Sequence, residues 1–310
     1  MHYIYSIYEY IGINMNVMLS MSVFRRVAET GSFSEVAREM TLSQPTVSKH
    51  VAALEKHLNV KLFTRSTRQL KLTDAGNQYY NQCTHILDEL FEIESTMRNQ
   101  QSLPTGTLRV NTPVTFGELN IVPHVWEFLA EYPDLSIDLI MDDHYVDLIK
   151  GGVDMAIRIG PMTDSSLIAQ KIGSSPRVTV ASSEYLEANG EPKTLLDLKQ
   201  HQCIIYTLLT TLNEWYFTGP KGKETIRVNG RFSVNNPHTI RQAVLAGQGI
   251  AVTPIWLMGD AIEKGDVKVL LNEYIPTTLE IHAVYPERHF VPAKVRCFID
   301  FLRAKFEPLS

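Results

Sequence analysis

The period of the apolar positions changes along the chain. Up to about residue 100 it is helical, and beyond residue 106 short apolar runs alternate with helical ones. Stepping 100° per residue, Val47, Val51, Leu54 and Leu58 fall within about 40° of one another and predict the buried stripe of a helix that begins after Leu42. The opposite face carries Pro45, Thr46, Lys49, Ala52, Ala53 and Lys56, and its two alanines leave the outer surface thin. Pro45 suits the first turn, where its missing N–H costs nothing, and Ser43 suits the N-cap. Upstream, Met18, Met21, Phe24, Val27 and Ala28 predict a helix ended by Gly31. A short second helix follows, with Ser32 and Glu35 as a capping box and Val36, Ala37 and Met40 as its apolar face.

A short helix, the tight link "TLS" and a longer helix make a helix-turn-helix, whose second helix enters a DNA major groove. Its tip offers free N–H groups, hydroxyls and one cation. Ser43, Gln44, Pro45, Thr46, Ser48 and Lys49 are therefore the candidate contacts to phosphates and base edges. Next, "KLFTRSTRQLKLT" alternates around Ser66-Thr67 and predicts a small hairpin, or wing, with Arg65 and Arg68 at its tip. Arginines so placed bind phosphate or enter a minor groove.

After Thr73, a predicted N-cap, Gly76, Tyr79, Cys83, Ile86, Leu90, Ile93 and Met97 recur at alternating spacings of 3 and 4. That is a coiled-coil seam, although a helix packed on its own module at period 3.6 fits so short a stretch as well. "SLPTG" at 102–106 breaks the helix as a hinge. Beyond it, "TLRVNTP", "LSIDLIM" and "VDMAIRIG" are predicted strands, separated by helices at "ELNIVPHVWEFLAEYP" and "YVDLIKGG". "CIIYTL", "IRVNGRFSV", "GIAVTP" and "LEIHAVYP" continue the strands, with helices at "PHTIRQAVLAGQ" and "VPAKVRCFIDFLRAKF". This alternation predicts an α/β domain with a parallel sheet.

Charge sharpens the division. The net charge is −5 over 310 residues, yet residues 15–73 carry nine basic and four acidic side chains. A basic module on an acidic body points to a polyanion partner for the module alone. Three widely spaced cysteines, Cys83, Cys203 and Cys297, suit reduced thiols in a cytoplasm. No apolar run approaches the roughly 18 residues that cross a bilayer, so no membrane association is expected. The aromatic stretch at 1–14 lacks a basic n-region and a cleavage site, and is expected to be a disordered extension ahead of Met15.

The residues Phe24, Gly31-Ser32-Phe33, Ala37, Ser43-Gln44-Pro45, Val47-Ser48, Leu54-Glu55, Leu62-Phe63, Arg65, Arg68, Leu72-Thr73 and Ala75-Gly76 together resemble the DNA-binding region of LysR-type transcriptional regulators. Lys49 and His50 stand where arginine and glutamine are common in that family. The resemblance implies a winged helix-turn-helix (15–73) and a linker helix (74–101) that pairs two chains through Tyr79, Cys83, Ile86, Leu90, Ile93 and Met97. After the hinge it implies an α/β effector-binding domain (107–310), two-lobed and folded like periplasmic binding proteins. Lobe I would span about 107–180 and 267–310, and lobe II about 181–266. "GVDMAIRIG", "LAGQGIAVTP" and "AVYPER…KVRCFIDFL" carry that second match. The family further implies an inverted-repeat operator read by a dimer, with recognition helices about 34 Å apart. It also implies a homotetramer, a small-molecule effector and room for RNA polymerase as a partner.

Loops at strand carboxyl ends face one crevice in such domains. The candidate effector contacts are Thr112 and Thr115 after the first strand, Asp143 after the second, and Arg158, Ile159 and Gly160 after the third. Tyr206, Asn235, Asn236 and Thr253 would face them from the other lobe. Asn235 and Asn236 could equally cap the helix at Pro237, and Arg158 could pair with a structural carboxylate. Catalytic patterns are missing. "GPKGKE" has the wrong spacing for a phosphate loop, and "AGQGIA" lacks the third glycine of a dinucleotide site. Asp142-Asp143-His144 are too close in sequence to converge on a metal, and His201 and Cys203 have no partner motif. No cofactor, metal or enzymatic activity is expected. A solute-binding receptor or a cytosolic enzyme on the same scaffold is the alternative.

Overall fold

The computed structural model describes residues 16–65, 70–97, 103–144, 147–148, 151–162, 167–209, 211–286 and 291–306. The side chains of Arg65, His85, Glu89 and residues 91–97 are not among them. The chain divides into two compact units, 1–102 and 103–310.

In the first unit, helix α1 (Val17–Thr30) is capped by Asn16, whose side chain accepts from the Leu19 N–H at 3.0 Å. It ends at Gly31, whose φ of +67° lets its N–H turn back to the Val27 carbonyl. Helix α2 (Phe33–Glu39) starts on Ser32, which accepts from the Glu35 N–H. Helix α3 (Gln44–Leu58) starts on Ser43, which accepts from the Thr46 N–H, with Pro45 in the first turn. The predicted stripe is buried at Val47, Val51 and Leu54, and Leu58 packs at its edge. In α1 the inward face differs from expectation: Met18 is 42% exposed, and Ser20 and Val23 are buried instead. Ser20 can be buried because its hydroxyl bonds His50 Nδ1 at 2.9 Å.

Strands β1 (Phe63–Arg65) and β2 (Leu70–Leu72) pair antiparallel as the predicted wing. The tip at 66–69, including Arg68, lies outside the described residues. Glu55 ties the wing to α3. Its Oε1 accepts from the Leu62 and Phe63 N–H groups at 3.0 and 3.3 Å, and its Oε2 accepts from Lys61 Nζ at 2.6 Å.

Helix α4 (Asp74–Met97) starts where Thr73 Oγ1 accepts from the Gly76 N–H at 2.9 Å. Here the seam expectation needs correction. A Cβ on Gly76 would lie 2.0 Å from the Leu62 carbonyl oxygen, so this residue touches its own module. Tyr79 packs on Phe24 with centroids 5.5 Å apart, and Cys83 is fully buried with Leu87 in the same core. Arg25 clasps Asp88 at 2.8 Å. The first half of α4 therefore packs at period 3.6 on its own module, and Ile86, 48% exposed, lies off that face. The side chains of Ile93 and Met97 lie outside the described residues.

The second unit holds a five-stranded sheet in the order β4-β3-β5-β15-β6. Its strands are β3 (Gly106–Thr112), β4 (Leu135–Met141), β5 (Met155–Ile159), β6 (Leu167–Ser175) and β15 (Leu279–Pro286). β4, β3 and β5 run parallel, whereas β15 is antiparallel to both β5 and β6, so the sheet is mixed rather than parallel. Helices α5 (Val122–Glu131) and α9 (Ala293–Phe306) contribute Phe128, Phe298, Leu302 and Phe306 to its core. A buried ion pair pins α9: Lys294 Nζ lies 2.9 Å from Asp154 Oδ2, which also accepts from the Arg109 N–H. The predicted helix "YVDLIKGG" falls partly outside the described residues, and its described part is a turn.

The remaining strands are β7 (Arg177–Ser182), β8 (Ile204–Tyr206), β9 (Glu214–Gly219), β10 (Gly222–Arg227), β11 (Phe232–Val234), β12 (Ala251–Pro254), β13 (Val267–Leu270) and β14 (Ile275–Pro276). They form the sets β12-β7-β13, β8-β11 and β10-β9-β14, of which only β8-β11 is parallel. Helices α6 (Ser183–Asn189), α7 (Pro237–Leu245) and α8 (Ile255–Lys264) pack around them. The chain leaves the first sheet at β6 and returns at β15. The crossing thus falls near residue 176 rather than 180, and the return near 278 rather than 267, because β13 still pairs with β7.

Candidate nucleic-acid interface and ligand cleft

At the start of α3, Ser43, Gln44, Pro45 and Lys49 are exposed, and Thr46 and Ser48 are half-buried. All six sequence-predicted contacts therefore lie at or beside an open surface, while Val47 between them anchors the tip to the core. Ser43 and Thr46 also bond each other through their hydroxyls at 2.7 Å, which fixes the tip. Geometry sorts the module's cations. Arg26 holds Glu39 through two 2.8 Å bonds and also bonds Glu29, and its pKa rises above the ordinary arginine value, with the Glu39 bond as the largest cause. Arg25 is held by Asp88, and Lys61 by Glu55. Arg38, Lys49, Lys56 and Lys71 are exposed and have no ion-pair partner among the described residues. The side chains of Arg65 and Arg68 lie outside the described residues, so their expected contact is neither placed nor displaced.

In the second unit a cavity of about 130 Å³ opens between the five-stranded sheet and the strands around β7. Five of the ten sequence-predicted contacts line it: Asp143, Arg158, Ile159, Tyr206 and Thr253. Asp143 is held by the Val114 N–H at 2.9 Å and by Asn236 Nδ2 at 3.4 Å, across the two layers. Arg158 is only 8% exposed and donates to Asn111 Oδ1 at 2.6 Å. Burial, with help from Asp143, pushes the Tyr206 hydroxyl up to about 12. The Thr253 hydroxyl is buried and has no hydrogen-bond partner among the described residues.

The other five are placed elsewhere. Thr112 and Thr115 are buried and line neither this cavity nor the one beside it, and Thr112 packs against Gly117. Gly160 lines an adjoining cavity of about 740 Å³. Asn235 is exposed outside both cavities, and Asn236 caps α7 by accepting from the Thr239 N–H. Sequence reasoning missed Arg177, Phe116, Trp256 and Ile240, which form much of the wall. Phe116 and Trp256 meet edge to face at 5.4 Å, and the Trp256 indole N–H donates to Ser175. Arg177 follows "SSP" at a strand start, a break that marks the crossing between sheets, and this was its only available signal. Asp142 bonds His144, which lines the cavity, at 3.0 Å, and among the described residues no cluster is arranged to hold a metal.

An exposed, capped recognition helix with a wing, followed by a ligand-sized cavity in an α/β unit, defines a DNA-binding regulator with a sensing domain. Comparison with known proteins agrees. Residues 18–77 match the family model of the bacterial regulatory helix-turn-helix protein, lysR family, and residues 101–307 match that of the LysR substrate binding domain. The chain belongs to the LysR-type transcriptional regulators and has that family's DNA-binding and effector-binding domains. It is 37% identical over 281 residues to an HTH-type transcriptional regulator of Haemophilus influenzae, covering 91% of this chain and 98% of that one. It is 35% identical over 293 residues to the HTH-type transcriptional activator AaeR of Escherichia coli, covering 94% of each. Among solved structures it is similar to CrgA, a LysR-type regulator from Neisseria meningitidis, with a TM-score of 0.60 at 31% identity, covering 93% and 98% of the two chains. Among the described residues no helix is long and apolar enough to cross a membrane.

Proposed function

We propose that the protein is a cytoplasmic regulator that reads an inverted-repeat operator as a dimer. Its effector domains assemble further into a homotetramer, and a small molecule in the cleft changes the affinity for DNA or its bend. Gln44, Thr46, Ser48 and Lys49 read the major groove. Ser43 and Pro45 shape the tip, and Arg65 and Arg68 hold the backbone or minor groove. Ile86, Leu90, Ile93 and Met97 supply the pairing face of the linker helix, the role left to them once Tyr79 and Cys83 serve the module's own core. The effector acts by favouring one pre-existing arrangement of lobes or subunits, and RNA polymerase is the partner that senses the result. The observation that carries this reading is the exposed α3 tip, rigidly capped and bearing Lys49, which has no ion-pair partner among the described residues.

Fluorescence anisotropy with genomic fragments selected by the purified protein tests it. Lys49→Ala is expected to weaken binding and lower the slope of log K against log salt by about one. A variant that binds like the parent at every salt concentration would remove α3 from the groove.

A further inference from the structure

Arg25 and Asp88 stand where the linker helix leaves the DNA-binding module. The apolar contacts of α4 with that module run through Tyr79, Cys83 and Leu87, and Leu87 is the last of them among the described residues. Asp88 follows at once, and its Oδ1 accepts from Arg25 Nη1 of α1 at 2.8 Å. Both side chains are half-buried, at 26% and 20% exposure, so the bond is better shielded from water than an ordinary surface pair. Further contacts continue the line. Arg25 Nε lies 3.8 Å from Glu29 Oε1, which also accepts from the Tyr80 hydroxyl of α4 at 3.4 Å. Glu29 and Glu39 in turn share Arg26, which brings in α2. Polar contacts thus tie the linker helix to α1 and, through it, to the helix that precedes the recognition helix.

Apolar packing and polar bonds constrain a helix differently. The Tyr79, Cys83 and Leu87 face holds α4 against the core, but apolar attraction is non-directional and tolerates a small rocking of the helix. A charge-assisted hydrogen bond is short and directional. The bond to Asp88 also acts far from the anchored start of the helix. At a rise of about 1.5 Å per residue, Asp88 stands roughly 21 Å along α4 from Asp74. A tilt of roughly 10° about that start would move this end by about 4 Å, more than the spacing of about 3.4 Å between base pairs along DNA. The two modules of a dimer read half-sites about one helical turn apart. A bond that resists the tilt therefore decides how closely that distance must be met.

We propose that the Arg25–Asp88 bond is a positioning contact that fixes the angle at which the linker helix leaves the DNA-binding module, and with it the half-site spacing that the dimer accepts. The inference rests on reading the protein as a dimer paired through α4, and in it neither residue touches DNA.

The test uses the full-length protein and synthetic duplexes that carry the half-sites recovered by genomic selection, with the spacer lengthened or shortened by one or two base pairs. In fluorescence anisotropy the parent is expected to prefer one spacing. A wrong spacing tilts α4 against the bond, so the bond adds no more to the penalty than its own strength, about tenfold for a charge-assisted hydrogen bond. Asp88→Ala is therefore expected to bind the best duplex about as well as the parent and to cut the penalty for a one-base-pair change by up to about tenfold. Arg25→Met should behave alike, and the double variant should be no more relaxed than either single one. Asp88→Glu, which keeps the carboxylate, should restore part of the discrimination. If a melting curve shows that Asp88→Ala fails to fold, Asp88→Asn, which keeps an acceptor, makes the same comparison and should fall between Asp88→Ala and the parent. A spacing penalty unchanged in the variants, or an equal loss of affinity at every spacing, overturns the positioning role. A parent that shows no preferred spacing, or that is a monomer by light scattering, overturns the dimer reading and this inference with it.

Discussion

Glu55 joins the recognition helix to the wing, and its replacement tests how the DNA-binding surface is held together. One carboxylate oxygen accepts from two adjacent backbone amides, and the other meets Lys61. Its side chain is only 10% exposed, whereas that of Lys61 is 78% exposed. The exposed ion pair therefore contributes little, about 0–1 kcal/mol. The two charge-assisted amide bonds matter more, at about 1.5–3 kcal/mol each. Glu55→Leu removes both and strands two amides in a half-buried site, so a loss of roughly 3–5 kcal/mol is expected. Glu55→Gln keeps a neutral acceptor and should lose about 1–2 kcal/mol.

The pH dependence follows from the direction of the pKa shift. Burial alone would raise the Glu55 carboxyl, but the bonds from Lys61, Leu62 and Phe63 outweigh it and hold the group below its ordinary 4.5. A depressed folded-state pKa means that the contribution is full above the unfolded value and is lost as pH falls through the folded one. The gap between parent and Glu55→Gln should therefore be constant near neutrality and close in acid, below about pH 4. Urea unfolding monitored by far-ultraviolet circular dichroism gives the energies, and hydrogen exchange at Leu62 and Phe63 gives the local effect. A gap that persists unchanged to pH 3 (roughly a unit below the ordinary glutamate range), or a Glu55→Leu cost under about 1 kcal/mol, would refute the reasoning.

Other expectations are independent of it. Gly76→Ala places a Cβ 2.0 Å from the Leu62 carbonyl, and a thermal melt should show a loss of about 1–3 kcal/mol from the forced shift of the linker helix. Lys294→Met removes the buried cation of the Lys294–Asp154 ion pair; a loss of about 3–5 kcal/mol should appear in tryptophan-monitored unfolding, since every tryptophan belongs to the second unit. Burial pushes the Cys83 and Cys203 thiols up to about 12. At pH 8, more than three units below that value, a thiol reagent should therefore modify the half-buried Cys297 first and reach the other two only on unfolding.

What the amino-acid order determined is whatever acts over a few residues. The stripe of Val47, Val51 and Leu54, the caps at Ser32, Ser43 and Thr73, the stop at Gly31 and the alternation of the wing all follow from period, hydroxyl placement and backbone freedom. The family pattern along residues 24–76 was legible for the same reason, since its parts sit close together in the chain. Tertiary structure decided what depends on distant residues meeting. Spacings of 3 and 4 could not tell a dimer seam from a core face, and the choice fell when Phe24 and Leu62 came up against Tyr79 and Gly76. Strand direction was undetermined in the same way, because β15 joins β5 and β6 after more than a hundred intervening residues and runs antiparallel to both. The cleft is the strongest case. Asp143 meets Asn236 and Arg177 meets Thr277 across 93 and 100 positions, so which polar groups find partners in the cleft is set by packing rather than by local sequence.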